Sequence, residues 1–367
     1  MFGPMSAPDR AGAERVIEEA RTICAVPAPT FAEGPRGELV ADLLTAAGVA
    51  PRRDGVGNVV AQLGDGPAGE TIVFAAHLDT VFAAGTEIIF REQGGRLAAP
   101  GIGDNSLAVA AIVHLARRLR GSALRRPVVL AATVGEEGLG DLRGAKALVA
   151  DGPCGAFVAV EGMMLNGLTV AAVGSVRFRL TVRGPGGHPW GDQENPSAIH
   201  GILRPLQAIL DELTAGGVVV NVGVLTGGTV INAIAGAASA ELDVRSEDDD
   251  ALRRATRTVR EAVAGLGPGL TADIEPLGHR PGGRLDPGDE LLAAARSARR
   301  RVGLPEAPEG ASSTDANAAH GRGIPAITVG VTTGANAHRL DEYIDLEPIP
   351  AGLASLEALV DELAGAS

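Results

Sequence analysis

The chain is short of several residue types: among its 367 residues it has one lysine, Lys146, two cysteines and one tryptophan, Trp190. Cys24 and Cys154 are far apart and form no Cys-x-x-Cys pair, which excludes a disulfide framework or zinc ribbon and fits a reducing, cytoplasmic setting. No basic cluster offsets the formal net charge of −13. Nucleic acid and anionic membranes are therefore not expected partners, because both demand a positive stripe. No segment approaches the ~18 consecutive apolar residues needed to span a bilayer. The opening residues MFGPMSAPDRAGAERVIEEA lack an apolar stretch of signal-peptide length. The scarcity of lysine beside abundant Arg, Ala and Gly looks like codon bias and carries no function.

What is present is apolar and periodic. Hydrophobic residues make up 45% of the chain, ample for sizeable cores, and the length suggests two domains. Val16, Ile17, Ala20, Ile23 and Cys24 recur at helical spacing over 11–25, and Leu39, Val40, Leu43 and Leu44 do so over 37–47. The runs GNVVAQL, ETIVFAAH, RPVVLAATVG and AFVAVEG read as strands, with a helix at 106–120 between the second and third. Apolar strands without polar alternation, interleaved with helices, predict an α/β domain whose sheet is covered on both faces. Near Gly174 the texture changes: SVRFRLTVRG alternates, and a helix at 196–213, strands VVVNVGVL and AASAELDVR, a helix at 249–264 and strand TADIEPL follow. That order is β-α-β-β-α-β, a split-βαβ layer. The Gly- and Pro-rich GHRPGGRLDPGD reads as a return linker, after which a helix at 290–301, strand IPAITVG and a helix at 351–364 resume the apolar style. The expected organisation is a discontinuous domain, residues 1–173 and 282–367, with a smaller α+β domain, 174–281, inserted in it.

Five candidate ligands stand where loops leave strands: His77, Asp104, Glu137, Glu161 and His338. In open α/β sheets that carboxyl edge is where sites assemble. Oxygen and nitrogen donors without sulfur suit zinc, with cobalt or manganese as substitutes. Charge also closes, since three carboxylates and a bridging hydroxide carry four negative charges against the four positive ones of two divalent ions. Asp79, two residues past His77, is the expected carboxylate partner of the second imidazole nitrogen. Glu136 is the natural general base: on an irregular turn its side chain diverges from that of Glu137, so one can bind metal while the other takes a proton from water and passes it to a leaving amine.

In this order HLDTVF, GIGDNS, TVGEEG, VEG and AHRLDEY resemble the dinuclear zinc aminoacylase and carboxypeptidase family, which includes acetylornithine deacetylase, succinyl-diaminopimelate desuccinylase, glutamate carboxypeptidase and peptidase T. The resemblance covers nearly the whole chain, and a five-part ordered match is highly specific. It implies a zinc-peptidase-like catalytic domain with a mixed, mostly parallel sheet, and an inserted lid and dimerisation domain. It further implies that Asp104 bridges two ions, that His77 and Glu161 serve one, and that Glu137 and His338 serve the other. A cis peptide between Asp104 and Asn105 is part of the same implication. In the inserted domain, GPGGHPWGD, GGTVINAIAG and LDVR resemble segments in which the counterpart of His188 reaches the partner subunit's site to polarise the scissile carbonyl. The counterparts of Asn232 and Arg245 hold the substrate carboxylate, a task for which the planar guanidinium fork is suited. Gly334, in TTGAN, matches a turn whose backbone approaches substrate.

Departures from the pattern touch substrate identity more than chemistry: Phe82 follows HLDTV, Pro189 and Trp190 follow His188, and Arg339 follows His338. Glu161 stands where the family's aminopeptidases tend to have Asp. The reading is thus a homodimeric two-zinc hydrolase cleaving the amide of an N-acyl amino acid or small peptide with a free carboxylate. A di- or tripeptide aminopeptidase on the same scaffold is the runner-up, and a catalytically silent ligand-binding relative a third reading. GIGDNS lacks the third glycine of a dinucleotide fingerprint, and no Gly-x-Ser-x-Gly elbow exists, which disfavours a Rossmann oxidoreductase and a serine hydrolase. His114, His200, His279 and His320 are read as structural, and Asp315 as a turn former.

Overall fold

A computed structural model describes residues 10–365; the first nine residues of the opening segment lie outside the described residues. The chain forms two compact units, one running to Ala172 and resuming at Arg284, the other Val173–Gly283.

The first unit is built on a mixed sheet. Four neighbouring strands, Val128–Thr133, Ile72–His77, Ala156–Glu161 and Ala326–Gly330, run parallel in that order. Val59–Leu63 pairs antiparallel with the first of them, and Leu168–Ala172 flanks the last. Every residue of Ile72–His77 and of Val128–Thr133 is buried, which requires cover on both faces. Alternate side chains supply two cores. Ile72, Phe74 and Ala76 join Val128, Leu130 and Val158 under the helices Arg10–Cys24, Gly34–Ala46, Leu107–Leu119, Glu290–Arg301 and Ile349–Ala364. Val73 and Ala75 join Val129, Ala131 and Phe157 under the shorter helices Arg143–Asp151 and Ala316–His320. The helix ends follow local rules as well. Asp289 caps Glu290–Arg301 by accepting from the Leu291 N–H at 2.8 Å, and three arginines close its last turn against the helix dipole.

The second unit is an antiparallel sheet in the order Val219–Gly227, Ala237–Ser246, Gly174–Arg183, Thr271–Arg280. Helices Ala198–Ala215 and Asp249–Ala264 cover one face. Val176, Phe178, Leu180 and Val182 alternate into that core while Arg177, Arg179 and Thr181 face away, the period expected of a half-covered strand.

Several elements escape the sequence reading. Arg91–Gln93, Arg96–Ala98, Gly334–Ala335 and Tyr343–Asp345 form a small separate sheet, and Glu309–Ser312 adds a strand beside Leu168–Ala172. Strands of two to four residues carry too little periodicity to announce themselves. The helix Arg143–Asp151 escapes because its nine residues, with Gly144 as the second, give only a short pattern. A Cβ there would lie 2.3 Å from Asn58 Oδ1 and 2.6 Å from the Val134 backbone, so the glycine is set by packing against the sheet.

Candidate metal centre

Three of the parallel strands deliver their loops to one edge. His77 is the last residue of its strand and Glu161 the last of the neighbouring one, while Glu136 and Glu137 follow Val128–Thr133 by three and four residues. Asp104 lies in the tight turn of Ile102–Ser106 that opens helix Leu107–Leu119, and its peptide bond to Asn105 is cis. His338 has a left-handed backbone, φ 66°, in the turn after the small-sheet residues Gly334–Ala335.

These residues converge as two triads sharing one carboxylate. His77 Nε2 is 3.0 Å from Asp104 Oδ1 and 3.8 Å from Glu161 Oε2. His338 Nε2 is 3.1 Å from Asp104 Oδ2 and 3.1 Å from Glu137 Oε1. The two oxygens of Asp104 thus face different histidines. Glu136 is close as well: one of its carboxylate oxygens lies within 4.8 Å of a His77 ring nitrogen and a Glu137 oxygen.

Asp79 meets His77 with both its backbone and its side chain. The His77 Nδ1 partner is the Asp79 main-chain carbonyl at 3.0 Å, whereas the Asp79 carboxylate stands 3.7 Å away. The carboxylate also accepts the N–H of Glu136 (2.9 Å), the N–H of Glu137 (2.9 Å) and the hydroxyl of Thr30 (2.9 Å). Two residues apart on extended backbone, the imidazole and the carboxylate share a side, but the carbonyl of the following turn is nearer the ring. Asp79 therefore fixes the tautomer through its backbone, leaving Nε2 to face the other donors, and fixes the Glu136–Glu137 turn through its side chain. Behind it, the fully buried Arg36 donates to the carbonyls of Leu78 (2.9 Å) and Val26 (2.8 Å).

Asn105 ties the shared carboxylate to the Glu161 strand end. Its Nδ2 donates to the Val160 carbonyl at 2.9 Å and its Oδ1 accepts the Gly162 N–H at 2.9 Å, one contact on each side of Glu161. Asp315, read as a turn former, is buried and accepts the Thr133 hydroxyl at 2.5 Å, close enough that its charge helps raise Glu161. Its chain position beside a short helix gave no signal of this.

The electrostatics call for a cation. Burial pushes Glu161 well above the usual carboxylate range, and the Asp104, Glu136 and Asp315 charges add to it against the lowering effect of His77. Burial would also raise Asp104, but His338 and His77 hold it well below that range. Hydrogen bonds to Asp104 and Glu137 push the His338 imidazole up to about 10. Burial pulls His77 down, yet Asp104 and the carboxylates around it outweigh this and leave it well above its ordinary value. Protons here do what a divalent ion would do. The donor set fits one: nitrogen and oxygen ligands at about 2.1 Å in a tetrahedral shell lie about 3.4 Å from each other, and the contacts above run from 3.0 to 3.8 Å.

The other expected residues are placed differently. His188 is exposed in the second unit, and its Nδ1 accepts the N–H groups of Trp190 (3.3 Å) and Gly191 (3.2 Å), which assigns its proton to Nε2. Asn232 is exposed, Trp190 is 82% exposed, and Arg245 pairs through Nε and Nη2 with Asp243. Gly334, in the first unit, has a packing reason to be glycine: a Cβ would lie 2.3 Å from the Tyr343 carbonyl oxygen. His114 is half-buried and contacts Glu357 at 2.6 Å, consistent with a structural role.

An α/β sheet whose carboxyl edge gathers two histidines and four carboxylates defines a metal-dependent hydrolase. The family model described as Peptidase family M20/M25/M40 matches residues 73–362, well over half of the chain, and the chain belongs to that family. Acetylornithine deacetylase from Myxococcus xanthus is 29% identical over 330 residues, covering 84% of each chain. The fold is shared with aminopeptidase PepT from Bacillus cereus, with TM-score 0.76, 23% identity, and coverage of 96% of this chain and 98% of that one. It is also shared with a dinuclear metal-binding M20 peptidase from Bacillus subtilis, with TM-score 0.65, 20% identity and coverage of 96% and 98%. Among the described residues no helix is long and apolar enough to cross a membrane.

Proposed function

We propose that the protein is a two-metal amidohydrolase that cleaves the amide bond of an N-acyl amino acid, or of a small peptide with a free carboxylate. The observation that carries this reading is the division of Asp104, one oxygen toward His77 and the other toward His338. His77, Glu161 and Asp104 would hold one ion, and His338, Glu137 and Asp104 the other. Divalent ions, zinc first with cobalt or manganese as alternatives, would supply Lewis acidity and lower the pKa of water to about 7.

The chain's own residues do the rest. Glu136, held at its amide by Asp79, takes a proton from the attacking water and returns it to the amide nitrogen as the C–N bond breaks. Glu137, next to it on the same clamped turn, would hold one of the ions. His188, with its proton on Nε2, donates to the carbonyl oxygen as negative charge develops there. Asn232 and the part of the Arg245 fork not engaged by Asp243 bind the substrate carboxylate, and the Gly334 backbone passes close to the substrate. The second-unit strand Val219–Gly227 supports a homodimer, since it is the outer strand of its sheet and exposes Val219, Val224 and Leu225. Two free cysteines suit a cytoplasmic location.

A di- or tripeptide aminopeptidase is the second reading, favoured by the fold shared with aminopeptidase PepT. The deacetylase relative and a glutamate at position 161 weigh toward the deacylase. Zinc-loaded protein assayed against N-acetyl and N-succinyl amino acids, acyl glutamates and free di- and tripeptides separates them. Hydrolysis is expected to need a free carboxylate on the amine side of the amide and to extend to N-acyl amino acids. Turnover confined to peptides with a free amino group would establish the aminopeptidase instead, and tight binding without hydrolysis of any amide would leave a binding protein.

A further inference from the structure

A further carboxylate near the centre, besides Asp79, Glu136 and Asp315, belongs to neither triad. Glu342 is fully buried, and its side chain ends on the backbone of the Asp104 turn. Oε1 accepts the N–H groups of Gly103 at 2.7 Å and Asp104 at 2.9 Å, and Oε2 accepts that of Gly101 at 3.2 Å. Its main-chain carbonyl also accepts the Ala99 N–H at 3.0 Å. The turn it holds is packed on its other sides: a Cβ on Gly103 would lie 2.5 Å from Met163, and one on Gly101 2.9 Å from Thr80.

The position of Glu342 in the chain gives these bonds a consequence. It lies four residues after His338, and that short segment is stiff: the Glu342 N–H donates to the Arg339 carbonyl at 3.1 Å, the Arg339 N–H to the Asn336 carbonyl at 3.1 Å, and the Asn336 and Arg339 side chains both bond Asp341. Glu342 thus joins two turns far apart in sequence, one carrying Asp104, which lies 238 residues before it, and one carrying His338. Asp104 Oδ2 and His338 Nε2 are the pair that must flank the same ion at 3.1 Å. Glu161 and His77 reach Asp104 by other routes, through Asn105 and through the strand.

We propose that Glu342 is a positioning residue that sets the separation of Asp104 from His338, and so the affinity of the ion held with Glu137 over that held with His77 and Glu161. This rests on the two-ion reading above. The carboxylate suits the task because it gathers converging N–H donors from one turn with both oxygens, which an amide side chain cannot do without turning an N–H toward an N–H.

The test is stepwise titration of metal-free protein with cobalt, followed by visible absorption and competition with a chelator, in the full-length wild type and in Glu342→Gln. The wild type is expected to take up two ions. Glu342→Gln is expected to bind one of them about 10- to 100-fold more weakly, as losses of groups that orient ligands do. The other ion should stay within about threefold, and the cobalt spectrum of the weakened site should change. With saturating metal, kcat should fall while KM holds. Glu342→Asp keeps the charge but draws the carboxylate back, and it is measured beside the amide in case Glu342→Gln does not fold; the same selective weakening is expected of it. Wild-type affinities for both ions in a variant that merely melts at lower temperature would overturn the inference, as would equal weakening of both. A wild type that takes up fewer than two ions would instead overturn the two-ion reading, before any variant is compared.

Discussion

The two units hold their candidate functional groups in different ways. In the first, His77, Asp79, Glu136 and Glu137 are buried, and each is fixed by the backbone or by another buried group. In the second, His188 and Asn232 are exposed, and Arg245 is half-exposed beside Asp243. A parallel sheet covered on both faces can deliver several loops to one buried edge, whereas an antiparallel layer covered on one face leaves its loops in water. His338 is the exception in the first unit, with an exposed side chain that still reaches Asp104 and Glu137.

The largest expected effect separates chemistry from assembly within the rigid unit. Glu136→Ala should lower kcat about a thousandfold while leaving metal content unchanged, because the role proposed for the residue is to move a proton and not to hold an ion. Elemental analysis beside turnover checks this, and loss of metal with activity would make Glu136 a ligand.

The comparison between units is sharpened by His188→Ala, for which a loss of about a hundredfold in kcat, with metal retained, is expected of one missing donor to a developing oxyanion. If His188 serves the partner subunit, mixing His188→Ala with Glu136→Ala should restore part of the activity in hybrid dimers. Absence of recovery despite proven subunit exchange would confine His188 to its own chain.

A smaller, graded effect follows from protonation. Metal-free His338 is pushed up to about 10 by Asp104 and Glu137, and His77 is held well above its ordinary value although burial opposes it. The upward shift at both imidazoles makes protons the competitors of an ion for them. Metal affinity should rise with pH between roughly 6.5 and these raised values, by up to about tenfold per pH unit for each proton released. Calorimetric titration with zinc in buffers of different ionisation enthalpy should show more than one proton released per chain at pH 7, and none released would mean the histidines are neutral before metal arrives.

Much of this was legible in the sequence. The long helices and buried strands were readable because apolar periodicity over ten or more residues reports which faces are covered. HLDTVF, GIGDNS, TVGEEG, VEG and AHRLDEY were readable because loops at strand ends carry chemistry in few residues. The helper residues were not. Thr30 precedes its partner Asp79 by 49 residues, and Arg36 reaches the Leu78 carbonyl across 42. Asn105 and Glu342 stood inside quoted motifs, yet nothing there says whether such a side chain faces an ion or a backbone.

The sequence by itself determined the residue types, their order along the chain and the α/β class, because burial pattern and turn chemistry are local. Only the tertiary structure decided that Asp104 divides its oxygens between two histidines, that Asp79 orients His77 through a carbonyl and also holds the Glu136–Glu137 turn with its carboxylate, and that Glu342 grips the Asp104 turn. Hydrogen bonds of about 3 Å depend on where whole loops are set down. That is fixed by the packing of the sheet and its helices, not by any neighbour in the chain.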